Sequence, residues 1–257
     1  MSLNVSLISY TPNPEKIIAA AAKLCYADSS ASDLMDGLTE EKTRQFVDML
    51  SRLGHESPIE HITFTFGIEG VSRTLLAQIT RHRIASFSVQ SQRYVRKDKF
   101  VFITPPEIQA NDEALSIFNS TMQSCVDNYN KIADILKKKH YEEFLSKGLS
   151  DKAAESQAEK KAIEDARFVL PNACETKMMV TMNARSLLNF FRLRCCQRAQ
   201  WEIIELACEM LRLCYAVAPS VFASAGPSCC LGSCNEGKMS CGKQDEVRKY
   251  FNDLKSI

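Results

Sequence analysis

Several features that mark membrane, secreted and dinucleotide-binding proteins are missing from this 257-residue sequence. It has no run of about 18 apolar residues that would span a membrane. Its N-terminus, MSLNVSLISYTPNPEK, lacks the basic segment and apolar core of a secretory signal. It also lacks the GxGxxG turn of a Rossmann unit. We therefore expect a cytoplasmic protein that makes no membrane contact.

The sequence also lacks an excess of charge of either sign. The formal net charge is +1, so no overall field would attract a polyanion, and any basic patch must be local. The composition, 45% hydrophobic and 25% charged, is typical of a globular protein with a sizeable core. A nucleic-acid partner is therefore not expected.

Cysteine, in contrast, is plentiful, with eleven residues. A disulfide framework is not expected without a secretory signal. Four of the cysteines, Cys229, Cys230, Cys234 and Cys241, lie in the C-terminal stretch GPSCCLGSCNEGKMSCGK. This stretch has neither paired CxxC spacing nor a histidine, so it is a weak zinc signal. We expect free thiols and no metal there, and a metal or redox role stays open as the alternative.

Three segments have the period of a β-strand. In HITFTFGI, the side chains of Ile62, Phe64, Phe66 and Ile68 share one face, which is the pattern of a strand with one buried side. KFVFIT and TKMMVTMN are predicted as two further strands.

Helical spacing dominates the rest of the chain. Thr39 is predicted to cap a helix that ends at Gly54. Its expected apolar stripe is Phe46, Met49, Leu50 and Leu53. Further helices are predicted from Pro14, through VSRTLLAQITRHR, from Asn111 to about His140, and through SDKAAESQAEKKAIEDARFV, ARSLLNFFRLR and RAQWEIIELACEMLRLCYAV. Together these patterns predict an α+β fold, with a mainly antiparallel central sheet flanked by long helices and no Rossmann unit.

Acidic and imidazole side chains cluster in GHESPIEH, between a predicted helix end and a strand. Pro58 would interrupt any helix between His55 and His61, and their spacing does not fit the HExxH motif of a zinc protease. Taken alone, the stretch is more typical of a solvated loop.

The stretch RHRIASFSVQSQRY, residues 81–94, carries a local excess of positive charge. Neighbouring side chains on a helix point in different directions, so Arg81 and Arg83 are suited to two ligands, or to a ligand and a structural carboxylate. Arginine forks bind phosphate and carboxylate groups, and the serines that follow would add donors to a phosphate cradle without glycines. A basic surface loop is the alternative. Few aromatic side chains are available to stack on bases, so nucleic acid fits poorly.

Arginines also interrupt the apolar pattern of NARSLLNFFRLR. Arg185, Asn189, Arg192 and Arg194 recur at helical spacings among leucines and phenylalanines. An arginine in an apolar helix is costly unless it has a partner, so a bound anion or a carboxylate such as Glu202 is implied. A structural ion pair is the alternative for any one arginine, but for the set we favour ligand binding.

These stretches together resemble the flavin-dependent thymidylate synthases. RHRIASFSVQSQRY matches the family signature RHRxxSxxxxSxR, and GHESPIEH before TFTF, RFVLP and NARSLLNFFRLR…AQWE match other motifs in the same order. The resemblance implies a homotetrameric enzyme whose sites are shared between subunits. It also implies methylation of dUMP to dTMP, with FAD as cofactor, 5,10-methylenetetrahydrofolate as carbon donor and NADPH as reductant.

The resemblance further implies roles for individual residues. Arg194 matches the arginine assigned to ionising the uracil ring at N3, and a fixed cation there would stabilise the developing anion. The implied FAD contacts are His55, Ser57, Glu60, Arg81, His82, Arg83, Ile84, Asn183, Asn189 and Arg198. The implied dUMP contacts are Gln78, Arg81, Gln90, Ser91, Gln92, Arg93, Arg167 and Arg194. Neither a metal nor a covalent cysteine nucleophile is implied.

The sequence departs from the family pattern in two places. Ser88 and Val89 stand where the family often has Asn-Glu, so contacts from those side chains cannot be carried over. Arg198 stands where many relatives have histidine. We expect a catalytic domain over residues 1–225 and a Cys/Gly-rich C-terminal extension of unknown role over residues 226–257. A phosphate- or nucleic-acid-binding module that uses residues 81–99 is the non-enzymatic alternative.

Overall fold

The computed structural model describes residues 3–92 and 100–256. Within them, strands form one sheet in the order β1-β2-β4-β3. The strands are β1 (Asn4–Tyr10), β2 (Thr63–Ser72), β3 (Ser86–Val89) and β4 (Glu175–Asn183). Strand β1 pairs antiparallel with β2, from Asn4 opposite Glu69 to Tyr10 opposite Phe64. The predicted α+β class and antiparallel sheet are confirmed.

Helices account for most of the remaining described chain. They are α1 (Pro14–Leu24), α2 (Ala31–Asp36), α3 (Glu40–Leu53), α4 (Arg73–Ile79), α5 (Pro106–Gln109), α6 (Asp112–Ser146), α7 (Asp151–Ala166), α8 (Ala184–Arg194), α9 (Trp201–Val217), α10 (Pro219–Phe222) and α11 (Gln244–Leu254). Short 3-10 turns cover Pro58–His61, Arg167–Val169, Ser228–Cys230 and Gly237–Met239. No helix of the described residues is both long and apolar enough to cross a membrane.

The chain divides into two compact units. The first contains residues 70–76 and the described part of 89–177, and the second contains 3–69, 77–88 and 178–256. In the first unit the long helices α6 and α7 pack together around Tyr129 and Ile163. The buried face of α7 is a row of alanines at four-residue spacing, Ala154, Ala158 and Ala162, because small side chains let two helices approach closely. This row explains how so polar a sequence forms a packed helix.

The core of the second unit is built on β2. Phe64, Phe66 and their neighbours at positions 62 and 68 are fully buried on one face, as the alternation predicts. The ring of Phe222 meets Phe64 edge-on at 5.5 Å and Phe191 at 5.9 Å between centroids. These contacts attach α8 and α10 to the sheet through aromatic pairs of a favourable geometry.

The predicted apolar stripe of α3 is confirmed only in part, because Leu50 is buried and Phe46 is partly buried while the other two residues are exposed. Both ends of the helix are as expected, since the side chain of Thr39 accepts from the backbone N–H of Lys42 and Gly54 adopts a left-handed φ of 73°. However, the buried residues are Thr43, Val47 and Leu50, whereas Met49 is 43% exposed and Leu53 is 64% exposed. The face of α3 that carries Val47 packs against the neighbouring elements, and Thr43 is buried on the same face.

Three other segments differ from the prediction. KFVFIT is not a strand within its described part: Phe102 forms only an isolated bridge with Cys174. In VSRTLLAQITRHR, Val71 still belongs to β2, and α4 begins at Arg73. Residues 86–89, expected as a loop, form the short strand β3. Strand β1 and helix α11 have no counterpart among the predicted elements.

Candidate ligand-binding site

A large cavity of about 1070 Å³ lies in the second unit. Its volume lies slightly above the range of about 300–1,000 Å³ found for ligand pockets. The walls come from the end of α3, the 3-10 turn Pro58–His61, the segment 81–84, helix α8 and residues 221–231. The cavity is therefore large enough for a ligand bigger than a single nucleotide base.

Most of the residues that the sequence assigned to FAD line this cavity. They are His55, Glu60, Arg81, His82, Arg83, Ile84, Asn183 and Asn189, and Arg194 joins them. Asn183 also caps α8, because its Oδ1 accepts from the backbone N–H of Ser186 at 2.8 Å. Ser57 and Arg198 are exposed and lie outside the lining.

A hydrogen bond within the lining links α8 to the RHR segment. The Nε of Arg194 donates to the Nε2 of His82 at 3.0 Å, so this ring nitrogen carries no proton. The imidazole stands edge-on against Phe190, with centroids 5.0 Å apart. Burial, reinforced by the charges of Arg194 and Arg81, lowers the pKa of His82 from 6.5 to about 4. His82 is therefore a neutral acceptor that orients Arg194 at neutral pH.

Three arginines of the lining have no carboxylate among the described residues that would compensate their positive charge. Within the described chain, no acidic side chain forms an ion pair with Arg81, Arg83 or Arg194. Burial and the charge of Arg81 lower the pKa of Arg194, but a guanidinium stays protonated in proteins. The Nη1 and Nη2 groups of Arg194 make no hydrogen bond to the described residues. Such uncompensated guanidinium groups favour a bound anion.

The other arginines of the lining have partners. The Nε of Arg185 donates to Glu56 at 3.1 Å, and its Nη1 donates to Glu60 at 2.5 Å. The Nη2 of Arg192 donates to the Oδ1 of Asn189 at 2.8 Å. The partners of Arg185 are thus the acids of GHESPIEH and not Glu202. Arg185 therefore forms a structural ion pair, which the sequence analysis gave as the alternative to ligand binding.

Apolar side chains form another part of the lining. Ile84 is 75% exposed, Leu193 is 49% exposed and Leu231 is 72% exposed. Exposed apolar side chains and cations in one lining suit a ligand with both a charged group and a flat apolar ring system. Leu231 lies in the predicted C-terminal extension, so sequence reasoning missed it.

Several nucleotide candidates lie in the first unit. Gln90, Ser91 and Gln92 border a small cavity of about 10 Å³, together with Arg73. The Nη2 of Arg73 donates to the backbone carbonyl of Gln90 at 3.1 Å. Burial lowers the pKa of Arg73, and nearby Arg167 adds to this effect. Arg73 was missed, although an arginine within the apolar pattern VSRTLL is a signal of the kind used for α8.

Three further nucleotide candidates complete the set. Arg167 is half-buried, and its Nε donates to the carbonyl of Glu164 at 3.1 Å. Gln78, in the second unit, donates from Nε2 to the Oε1 of Gln200 at 3.5 Å, and Gln200 in turn caps α9. Arg93 lies outside the described residues, as does the basic strip that follows it.

All the cysteines are free thiols. Cys229 lies near Cys196, Cys234 and Cys241, but in residues 3–92 and 100–256 no group of three or more His, Cys, Asp or Glu side chains is arranged to hold a metal ion. Burial raises the pKa of Cys230 to about 11, which keeps this thiol protonated and unreactive at neutral pH.

Fold and cavity together define an α+β protein with a large cavity lined by arginines and exposed apolar side chains. The family model described as "Thymidylate synthase complementing protein" matches residues 6–220. The chain is 54% identical over 251 residues to a flavin-dependent thymidylate synthase of Clostridium tetani, with 98% of each chain covered. It is 46% identical over 254 residues to that of Geobacter sulfurreducens, covering 98% of this chain and 99% of the relative. The chain belongs to the flavin-dependent thymidylate synthase family and is an enzyme of that class.

Proposed function

We propose that the protein methylates dUMP to dTMP, with FAD as cofactor, 5,10-methylenetetrahydrofolate as carbon donor and NADPH as reductant. The observation that carries the proposal is the set of cations without carboxylate partners, Arg81, Arg83 and Arg194, around the large cavity. The family's enzymes, by their name, depend on a flavin.

The residues of the cavity fit FAD. Arg81 and Arg83 would hold its diphosphate, because two guanidinium groups without carboxylates match a dianionic group. Ile84 and Leu193 offer apolar surface to a fused ring, and the volume of about 1070 Å³ leaves room for both halves of the molecule. When bound, FAD supplies the reducing equivalents that complete the new methyl group.

Arg194 acts on the nucleotide as a fixed positive charge. Uracil C5 becomes nucleophilic when negative charge develops on the ring, and a preoriented cation near N3 stabilises that charge. The hydrogen bond to His82 fixes the Nε of Arg194 at 3.0 Å and leaves its terminal nitrogens available to a ligand. Since His82 is neutral, it orients the guanidinium without reducing its charge.

The remaining nucleotide contacts are proposed from the resemblance. Gln90, Ser91, Gln92, Arg93 and Arg167 would bind dUMP together with Gln78, Arg81 and Arg194. The family resemblance implies sharing between subunits, so the enzyme is proposed to be a homotetramer. A cytoplasmic location stays a prediction.

A visible absorption spectrum of the purified protein tests the proposal. We expect a flavin band, and oxidation of NADPH that depends on dUMP and yields dTMP. Folate labelled with deuterium at the methylene group should transfer the label to dTMP. A protein that neither contains nor binds FAD contradicts the proposal, and oligonucleotide binding with a steep salt dependence and no response to dUMP would support the phosphate-binding module instead.

A further inference from the structure

The C-terminal segment forms part of the cavity wall. Gly226, Ser228 and Leu231 line the cavity, although all three follow the residues 6–220 that the family model matches. The 3-10 turn Ser228–Cys230 brings these residues to the wall. The segment therefore contributes to the site, beyond any role of its cysteines.

Helix α11 holds this turn in place through its side chains. Arg248 donates from Nε to the carbonyl of Cys229 and from Nη2 to the carbonyl of Gly232, both at 2.9 Å. Gln244 adds a bond from Nε2 to Gly232 at 2.7 Å. The two carbonyls flank Leu231, so the planar fork of Arg248 fixes the backbone on both sides of that residue.

The helix is itself firmly anchored in the second unit. Val247 and Phe251 of α11 are buried. Beyond the helix, the Nζ of Lys255 donates to the carbonyls of Ala223 at 2.8 Å and Ala225 at 2.6 Å. Burial lowers the pKa of Lys255, a cost that these hydrogen bonds offset. An anchored helix gives the turn a fixed support.

Leu231 turns apolar surface towards the cavity and not towards the core. It is 72% exposed, although the turn that carries it is held by four hydrogen bonds from α11. A leucine held in a fixed position at a cavity wall gains the free energy of apolar burial when a ligand covers it. Ile84 and Leu193 also expose apolar surface in the same lining. The diphosphate of FAD is already assigned to the arginines of the RHR segment, so these apolar side chains are left for its rings.

We propose that Leu231 contacts a ring system of bound FAD and that Arg248 is the positioning residue that holds Leu231 there. The inference rests on the proposed function, because it takes FAD as the occupant of the cavity. It assigns a cofactor-binding role to the C-terminal segment.

The first test compares Leu231→Ala with the wild type. The dissociation constant of FAD is measured by flavin fluorescence on the full-length protein. We expect about tenfold weaker binding, since most of a leucine–ligand contact is lost and tenfold corresponds to about 1.4 kcal/mol. Leu231→Met keeps an apolar side chain of similar size and should therefore retain most of the wild-type affinity for FAD. Met239→Ala is the matched control, because Met239 is an exposed apolar residue of the same segment outside the lining.

The second test removes the support of the turn. Arg248→Ala should weaken FAD binding several-fold, whereas Lys249→Ala, a change of an exposed cation on the same helix, should not. If Arg248 acts through Leu231, the double variant Leu231→Ala/Arg248→Ala should bind little more weakly than Leu231→Ala alone. Additive losses would show that Arg248 acts elsewhere. Should Arg248→Ala fail to fold, Gln244→Ala removes a donor from the same carbonyls and takes its place in the cycle.

The outcomes separate this inference from the proposed function. Wild-type protein that binds no FAD contradicts both. Wild-type protein that binds FAD while Leu231→Ala binds it equally well, within twofold, leaves the proposed function standing and overturns the inference. A loss confined to the unfolding midpoint, with unchanged FAD affinity, also overturns it.

Discussion

Protonation of His82 should destabilise the folded protein in a defined pH window. In the native state Nε2 of His82 accepts from Arg194 at 3.0 Å, and a proton on this nitrogen would remove the bond. It would also place a third positive charge beside Arg81 and Arg194. The half-buried imidazole therefore resists protonation, and its pKa falls from 6.5 to about 4.

The sign and size of the effect follow from these values. Between pH 6.5 and about pH 4 the unfolded chain binds a proton at His82 that the native protein does not bind. The stabilising contribution is complete above pH 6.5 and is lost as the pH falls towards about 4. A change of one in pKa corresponds to about 1.4 kcal/mol, so the fall from 6.5 to about 4 sets an upper limit of about 3.5 kcal/mol. Solvent screening of a half-exposed ring reduces this to about 1–2 kcal/mol.

His82→Gln is the matched variant. Its side-chain carbonyl can still accept from Arg194, but it does not titrate. Guanidinium denaturation of both proteins across the window should show the free energy of unfolding of the wild type falling more steeply, by about 1–2 kcal/mol in total. All other side chains are common to both proteins, so their contributions cancel in the difference.

Nuclear magnetic resonance gives a direct second measurement. The chain has only four histidines, so the ring signal of His82 can be assigned by its absence from His82→Gln. We expect this signal to titrate well below pH 6.5. A titration near 6.5, or parallel pH dependences of stability for the two proteins, would refute the reasoning that burial and two arginines keep the imidazole neutral.

Three further predictions concern catalysis, stability and thiols. Arg194→Ala should fold but reduce dTMP formation by at least about 100-fold, whereas Arg212→Ala, which breaks a pair with Glu209 outside the cavity lining, should stay active; near-normal turnover of Arg194→Ala would remove its assigned role. Phe66→Ala should lower the free energy of unfolding by about 3–5 kcal/mol in denaturation experiments, because Phe66 is fully buried, and a loss below about 1 kcal/mol would contradict that core. In the native protein the exposed Cys25 should react rapidly with a thiol reagent, and Cys214 slowly, because burial raises the pKa of Cys214; equal rates would contradict this difference.

The elements that the sequence predicted well carry their signal locally. In β2 the alternation of Phe64 and Phe66 with threonines corresponds directly to buried and open faces. In α8 the cap at Asn183 stands beside the apolar residues that the helix buries. When an element buries a single face, its apolar residues recur at the period of that strand or helix. The element can then be predicted without knowing what it packs against.

Elements whose burial depends on distant partners were predicted poorly. Helix α3 has apolar residues on more than one face, and only its neighbours decide that Val47 is buried while Leu53 is exposed. Strand β1 is mostly open to solvent and exists through its pairing with β2. Helix α11 buries only Val247 and Phe251, so its apolar face offers few residues from which a helix can be predicted.

The site shows the same division. Motif resemblance brought the cavity residues together as a set, but it gave none of their mutual contacts. Arg194 and His82 are 112 positions apart, and Arg185 is 129 positions from Glu56. No spacing rule connects residues at such separations, and Leu231 lies beyond the matched motifs altogether.

The contrast between Arg185 and Arg194 shows why these contacts matter. Both arginines belong to α8 and both line the cavity, so the sequence treats them alike. Arg185 donates to two carboxylates, which cancel its charge, and Arg194 donates to a neutral imidazole, which fixes its position and leaves its charge intact. A carboxylate in place of His82 would orient Arg194 equally well but would compete with any anionic ligand. The neutral His82 therefore leaves Arg194, and not Arg185, with the uncompensated charge that the proposed stabilisation of a substrate anion requires.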